Sequence, residues 1–187
     1  MRIARLLVLA LCLLAVAPAT ADSPARAPDG ALLDERPLPD LELEGTSGET
    51  HHLRDYQGQV LVLVYEDKQS SRQNWNLKIA MRDRAERTDL KRKVTFLPIA
   101  DLDGYGFFAV RPFARSKVRG MAEKFGIEIL IDWSGEIAKV FGFQPEQSNV
   151  LIVDRRGKVV FRKSGALDLQ ERDRFFSTLD RTIAGTG

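Results

Sequence analysis

The strongest strand signal in the chain is Val60-Leu61-Val62-Leu63-Val64-Tyr65. It is β-branched, aromatic and free of polar alternation, which predicts a strand buried on both faces of a sheet covered by helices. Upstream, Asp40 to Glu44 alternates polar and apolar residues, and Thr50 to Leu53 returns after a Gly45–Gly48 turn. That pattern predicts an early hairpin followed by a turn at Asp55–Gly58. Downstream, strands are expected at Val94–Ile99 and Ile127–Ile131. The two-strand pattern Asn149–Asp154 and Lys158–Arg162 is joined by the tight turn Arg155-Arg156-Gly157.

Helical signals fall between these strands. Ser70 or Ser71 is placed to cap a helix over 71–87, with Trp75, Ile79 and Ala80 as its inward residues. Asp101–Gly106 reads as a loop leading to Phe107 and Phe108. Pro112 fits the first turn of a helix that runs to Phe125 and stops at Gly126. Asp132–Glu136 reads as a turn and 137–141 as a short helix. Asp168 opens the last helix, whose apolar members are Leu169, Phe175, Phe176, Leu179 and Ile183. The order of elements describes an α/β fold with a mixed central sheet and helices on both faces.

The first 21 residues change the reading of charge and chemistry. Arg2 and Arg5 precede the apolar run Leu6–Val16, and Ala19-Thr20-Ala21 is a small-x-small site. These are the three parts of a secretory signal peptide, with cleavage expected before Asp22. Residues 22–39, rich in proline and alanine, read as a flexible leader, and residues 40–187 as one domain. Cys12, as a lipidated residue, is the rival reading of the first segment, though Leu11 is bulky for such a site. The full chain has 28 basic and 26 acidic residues; losing Arg2 and Arg5 leaves 26 of each. Global charge therefore gives no reason to expect nucleic acid or an anionic membrane as a partner. Cys12 is the one cysteine, so the exported chain has no thiol and no disulfide.

Several segments resemble a known superfamily. Pro37-Leu38-Pro39-Asp40-Leu41, Leu53-Arg54-Asp55-Tyr56-Gln57-Gly58 with the strand that follows, and the closing hairpin from Val150 to Phe161 are similar to periplasmic thiol-disulfide proteins and peroxiredoxins. Phe107–Val110, Ile131-Asp132-Trp133-Ser134-Gly135 and Gly165-Ala166-Leu167 resemble more narrowly the exported, cysteine-less YtfJ family. The resemblance implies a thioredoxin-like three-layer sandwich with an N-terminal β-hairpin extension. It places the usual redox dithiol on Ser70-Ser71-Arg72-Gln73 and the usual cis-proline near Ser148. Serine does not replace a thiolate in disulfide exchange, and a non-proline cis bond costs about 2.5–4 kcal/mol, so a trans bond is expected there.

The expected function is therefore a non-redox binding or accessory protein of the bacterial envelope, periplasmic or secreted. Glu66, Asp67, Ser70, Ser71, Arg72 and Ser148 are the candidate ligand-binding residues. Catalytic residues, cofactor and metal are each expected to be none. The partner is expected to be an envelope protein, a peptide or a small molecule, with no nucleic acid and no membrane required after cleavage. Two alternatives stay open: a cysteine-independent enzyme such as a weak hydrolase, and a structural partner in an assembly. A serine nucleophile would need a base. The two histidines, His51 and His52, are adjacent and point to opposite faces of a strand. Zinc would need ligands beyond them. Glu66, Asp67, Asp101 and Asp103 would gather at one sheet end if their strands are neighbours. Tyr105, Phe107, Phe108 and Phe113 are expected in the core or a lid, with a groove as the alternative.

Overall fold

A computed structural model describes residues 38–185. The expected signal peptide, with Cys12, and all but the end of the leader lie outside the described residues. Seven strands form one open sheet: β1 (Glu42–Gly45), β2 (Thr50–His52), β3 (Val60–Glu66), β4 (Val94–Asp101), β5 (Leu130–Asp132), β6 (Asn149–Val153) and β7 (Val159–Ser164). Their order is β2-β1-β5-β4-β3-β6-β7. The pairs β3–β4 and β4–β5 are parallel, whereas β1–β2, β1–β5, β3–β6 and β6–β7 are antiparallel. The helices are α1 (Trp75–Arg87), α2 (Leu90–Lys93), α3 (Arg111–Phe125), α4 (Glu136–Phe141) and α5 (Leu169–Ala184).

The two-sided burial of β3 follows from side-chain alternation. Leu61, Leu63 and Tyr65 join Leu97, Ile99, Leu151, Ile137 and Phe141 on one face. Val60, Val62 and Val64 join Leu77, Met81, Ile152, Phe175 and Leu179 on the other. Helices α1 and α5 thus cover one face and α4 the other, the layered α/β sandwich expected. Helix α3 lies over β5 through Val118 and Ala122 against Ile129 and Ile131. Pro112 stands in its first turn, and Gly126 ends it in the left-handed conformation at φ +62°.

Three expectations are corrected. Helix α1 begins at Trp75, four residues later than the serine-cap reading required, and neither Ser70 nor Ser71 caps it. Its buried residues are Leu77 and Met81, whereas Trp75 is exposed and meets the Phe125 ring edge-on at 5.6 Å. Leu169 also faces solvent, because Asp168 caps α5 through the Glu171 N–H and turns the first helical residue outward. Finally, Asp132 ends β5 as a buried residue rather than starting a turn. It accepts hydrogen bonds from the backbone N–H groups of Ser134 and Ile137 and from the Tyr65 hydroxyl.

Candidate functional site

The β3–α1 connection stands at the carboxyl end of the central strand. Its backbone is shaped by Asp67. Burial alone would raise the Asp67 carboxyl, but the hydrogen bonds it accepts outweigh that and hold it below the usual carboxylate range. Oδ1 accepts from the Ser70 N–H and the Ser70 hydroxyl, each at 2.7 Å, and Oδ2 accepts from the Glu146 N–H at 2.8 Å. The Ser70 hydroxyl also accepts from the Asp67 N–H at 3.0 Å, and Ser70 is fully buried. Ser71 Oγ donates to the Lys68 carbonyl at 3.0 Å. Both hydroxyls therefore close a local turn.

The next two side chains stitch this turn to the loop before β6. Gln73 Nε2 donates to the Glu146 carbonyl at 2.7 Å, and Gln73 Oε1 accepts from the Ser148 N–H at 3.0 Å. One side-chain amide thus mimics a strand partner. Glu146 is held at φ +61°, a conformation costing roughly 1–2 kcal/mol for a residue with a Cβ. The bonds to Asp67 and Gln73 hold it there. Asn74 occupies the helix-cap position, yet its amide reaches elsewhere. Nδ2 donates to Ser148 Oγ and the Gly165 carbonyl, and Oδ1 accepts from the Leu167 N–H, all at 2.9 Å. Every described peptide bond is trans, including the one between Gln147 and Ser148.

Glu66 completes the seam. It accepts from Ser148 Oγ at 2.6 Å and from Lys78 Nζ at 2.5 Å, and Lys78 also donates to the Ser71 carbonyl. Burial raises the Glu66 carboxyl, and Lys78 and Ser148 offset that in part. Four of the six candidate residues are linked: Glu66 bonds Ser148, Asp67 bonds Ser70, and both pairs meet the loop at 146–148. Ser70 and Ser148 are buried, Glu66, Asp67 and Ser71 are half-buried and bond to the protein itself, and Arg72 is exposed. Two open hollows lie elsewhere, one beside Thr46 and Glu128 and one beside Ala80 and Phe176.

The acidic loops do not merge. Strands β3 and β4 are neighbours, but Glu66 and Asp67 turn toward β6 and α1. Asp101 accepts from the Asp103 N–H, and its carboxyl is raised mainly by burial. No three of the four carboxylates bring ligand atoms within 4.8 Å of one another.

The aromatics do not enter the core. Phe107 is 72%, Phe108 96% and Phe113 64% exposed, and Tyr105 is 44% exposed. They lie on the β4–α3 connection and the first turn of α3, at the same end of the sheet as Glu66. The reason is local: α3 turns only Ala114, Val118 and Ala122 to the sheet, so Phe113 and Met121 remain outside. Lys117 Nζ stands 5.2 Å from the Phe113 ring centre and Lys124 Nζ 5.7 Å from that of Phe125. The α3 sequence holds five basic residues and one acidic residue. This charge is invisible in the balanced total. Arg111 and Arg115 anchor the helix by pairing with Glu44, and Arg111 covers the Trp133 ring at 4.6 Å.

A family model described as a bacterial protein of unknown function, YtfJ, matches residues 54–181. The chain belongs to this family. No curated protein matches its sequence. Among solved structures, the YtfJ chain is similar to the pneumococcal exposed lipoprotein thioredoxin of Streptococcus pneumoniae, with 22% identity over 76% of this chain and 99% of that one and a TM-score of 0.55. It is similar to DsbF of MTB at 17% identity, 78% and 98% coverage and TM-score 0.54. It is also similar to BsSco, a member of the Sco family of cytochrome c oxidase assembly proteins, at 13%, 79% and 94% coverage and TM-score 0.55. These likenesses make the YtfJ fold thioredoxin-like. Residues 54–181 include the seam and the aromatic loop but not the early hairpin. Sequence reasoning missed Asn74 and Lys78. Their partners lie 74 and 12 residues away, and no local pattern announces such bonds.

Proposed function

We propose that this protein is a non-redox, thioredoxin-like recognition protein of the bacterial envelope, exported by its N-terminal segment and cleaved before Asp22. Its partner is an acidic, partly apolar segment of another envelope protein. The observation that carries this reading is the exposure of Phe107 and the nearly complete exposure of Phe108, beside Phe113 on a strongly basic helix. Clustered exposed aromatics mark interaction surfaces more often than they occur by chance on a monomer. The surrounding lysines and arginines favour an acidic partner. The ligand-binding role first considered for Glu66, Asp67, Ser70, Ser71, Arg72 and Ser148 narrows in this reading to Ser71 and Arg72 at the rim. The other four serve as the internal support that fixes this end of the sheet. No specific observation favours the hydrolase alternative.

A photo-reactive benzophenone side chain at position 108, in cells making the full chain, tests this. An adduct with a second protein through an acidic peptide is expected at 108 and not at 156, in the β6–β7 turn at the far end of the sheet. The Phe107→Ser/Phe108→Ser double substitution should remove binding of that protein, yet change stability by no more than about 0.5 kcal/mol because both rings are exposed. Equal labelling from both positions, or none from 108, would overturn the proposal. An adduct of twice the chain mass would replace it with the assembly reading.

A further inference from the structure

The early hairpin holds a constellation that the recognition face does not use. Glu49 and His51 leave the β1–β2 turn and β2, and Glu128 comes from the connection between α3 and β5. One ligand atom from each lies within 4.8 Å of the other two. We propose that Glu49, His51 and Glu128 form a zinc site, with a water molecule as fourth ligand.

Three features of the site support a cation rather than a chance meeting of polar groups. First, the spacing is suitable. His51 Nε2 and Glu49 Oε1 are 3.2 Å apart. Two donors about 2.0–2.2 Å from a tetrahedral zinc ion stand about 3.3 Å from each other. Second, two of the ligands are oriented by groups behind them. His51 Nδ1 meets the Tyr56 hydroxyl at 3.0 Å, which leaves Nε2 facing the carboxylates. Glu128 Oε1 accepts from the Thr46 N–H at 2.8 Å and the Thr46 hydroxyl at 2.9 Å, and Thr46 is buried. Third, the backbone beneath the ligands is a glycine. A Cβ on Gly45 would stand 2.7 Å from Glu49 Cδ and 2.9 Å from His51 Nε2, so any other residue would displace both ligands. Gly45 has no positive φ to explain it.

Glu128 also borders an open hollow of about 500 Å³ lined by Thr46, Ser47, Arg119 and Glu123. Water or a partner's carboxylate can therefore reach the fourth position. Arg119 is the nearby cation, with its Nε held by the Thr46 carbonyl at 2.9 Å. Its charge opposes a metal ion, and the two carboxylates compensate it. The imidazole and carboxylate donors suit zinc better than calcium or magnesium, which take oxygen alone. The ion would tie the hairpin turn to the α3–β5 connection across 77 residues of sequence, His51 to Glu128.

The test is calorimetric titration of untagged, chelator-treated protein with zinc chloride, alongside a thermal melt. One ion per chain and a higher melting temperature are expected with zinc, and neither with magnesium. His51→Gln and Glu128→Gln should each weaken binding at least tenfold. Glu128→Gln retains an acceptor for the Thr46 donors, so it should still fold. His52→Gln, whose side chain faces away from Glu49, should bind as the unaltered protein does. No binding at micromolar zinc, or equal binding by the His51 and Glu128 variants, would overturn the site.

Discussion

Asn74→Ala is expected to destabilise the protein by about 3–5 kcal/mol, measured by denaturant unfolding. The side chain is buried and satisfies three partners from a distant part of the chain: Ser148 Oγ, the Gly165 carbonyl and the Leu167 N–H. A buried donor or acceptor left without a partner costs about 1–3 kcal/mol. Alanine strands the Leu167 N–H completely and takes a donor from each of the two oxygens. Ser148 still reaches Glu66, so its share of the loss is the smallest. Since Asn74 also precedes α1, a smaller effect would be expected if it acted only there. Loss of a cap alone costs about 1 kcal/mol. A measured change at or below that value would contradict the bridging role.

Leu63→Ala should cost about 3 kcal/mol in the same assay. Leu63 is wholly buried at the middle of β3, and β3 lies between β4 and β6 near the centre of the seven-strand sheet. Truncation removes three carbons from a face already filled by Leu97, Leu151 and Ile137, and neighbours on a rigid sheet collapse poorly into the space. Leu169→Ala, on the exposed first turn of α5, should change stability by no more than about 0.5 kcal/mol. The pair separates two leucines that look alike in sequence. A large loss at Leu169 or none at Leu63 would contradict the assignment of core and surface.

The periodic signals were the legible ones. The apolar run at Val60–Tyr65 predicts β3 because burial on both faces leaves no polar position in it. Pro112 and Gly126 mark the ends of α3 because the missing N–H and the left-handed backbone are properties of single residues. The β6–β7 hairpin is legible for a similar reason: Gly157 takes φ +80° in its turn. What could not be read depends on distant partners. Ser70 has the chemistry of a helix cap, but Asp67 captures it and α1 starts later. That delay moves the buried stripe to Leu77 and Met81 and leaves Trp75 outside. Asp132 looks like a turn residue until the Tyr65 hydroxyl arrives from β3. The exposure of Phe107 and Phe108 is the clearest case. Aromatic residues in a loop fit a core as well as a surface, and only the folded loop decides between them. Of the six candidate residues, Glu66 closes on Ser148 and Asp67 on Ser70, whereas Ser71 closes on the Lys68 carbonyl and Arg72 is exposed.

That arrangement closes most of the candidate polar groups onto the protein itself. A reactive or ligand-accepting site keeps polar groups unsatisfied until the substrate arrives. Here Asp67, Gln73 and Asn74 each close on backbone groups of the loops at 146–148 and 165–167. Among the described residues, the exposed rings of Phe107 and Phe108 have no ring partner, and α3 beside them carries five basic residues against one acidic residue.

Amide hydrogen exchange of the unaltered protein, followed by NMR, tests the closed seam most directly. The decisive amides are those of Glu146, Ser148 and Leu167, which donate to Asp67 Oδ2, Gln73 Oε1 and Asn74 Oδ1. All three lie outside regular strands and helices, so a protected rate cannot come from a sheet or helix ladder. Ser148 and Leu167 are expected to exchange nearly as slowly as the β3 and β6 amides, and Glu146 far more slowly than the exposed loop at 103–108. Exchange of all three at the rate of that loop would mean that this end of the sheet opens freely, and would contradict the account.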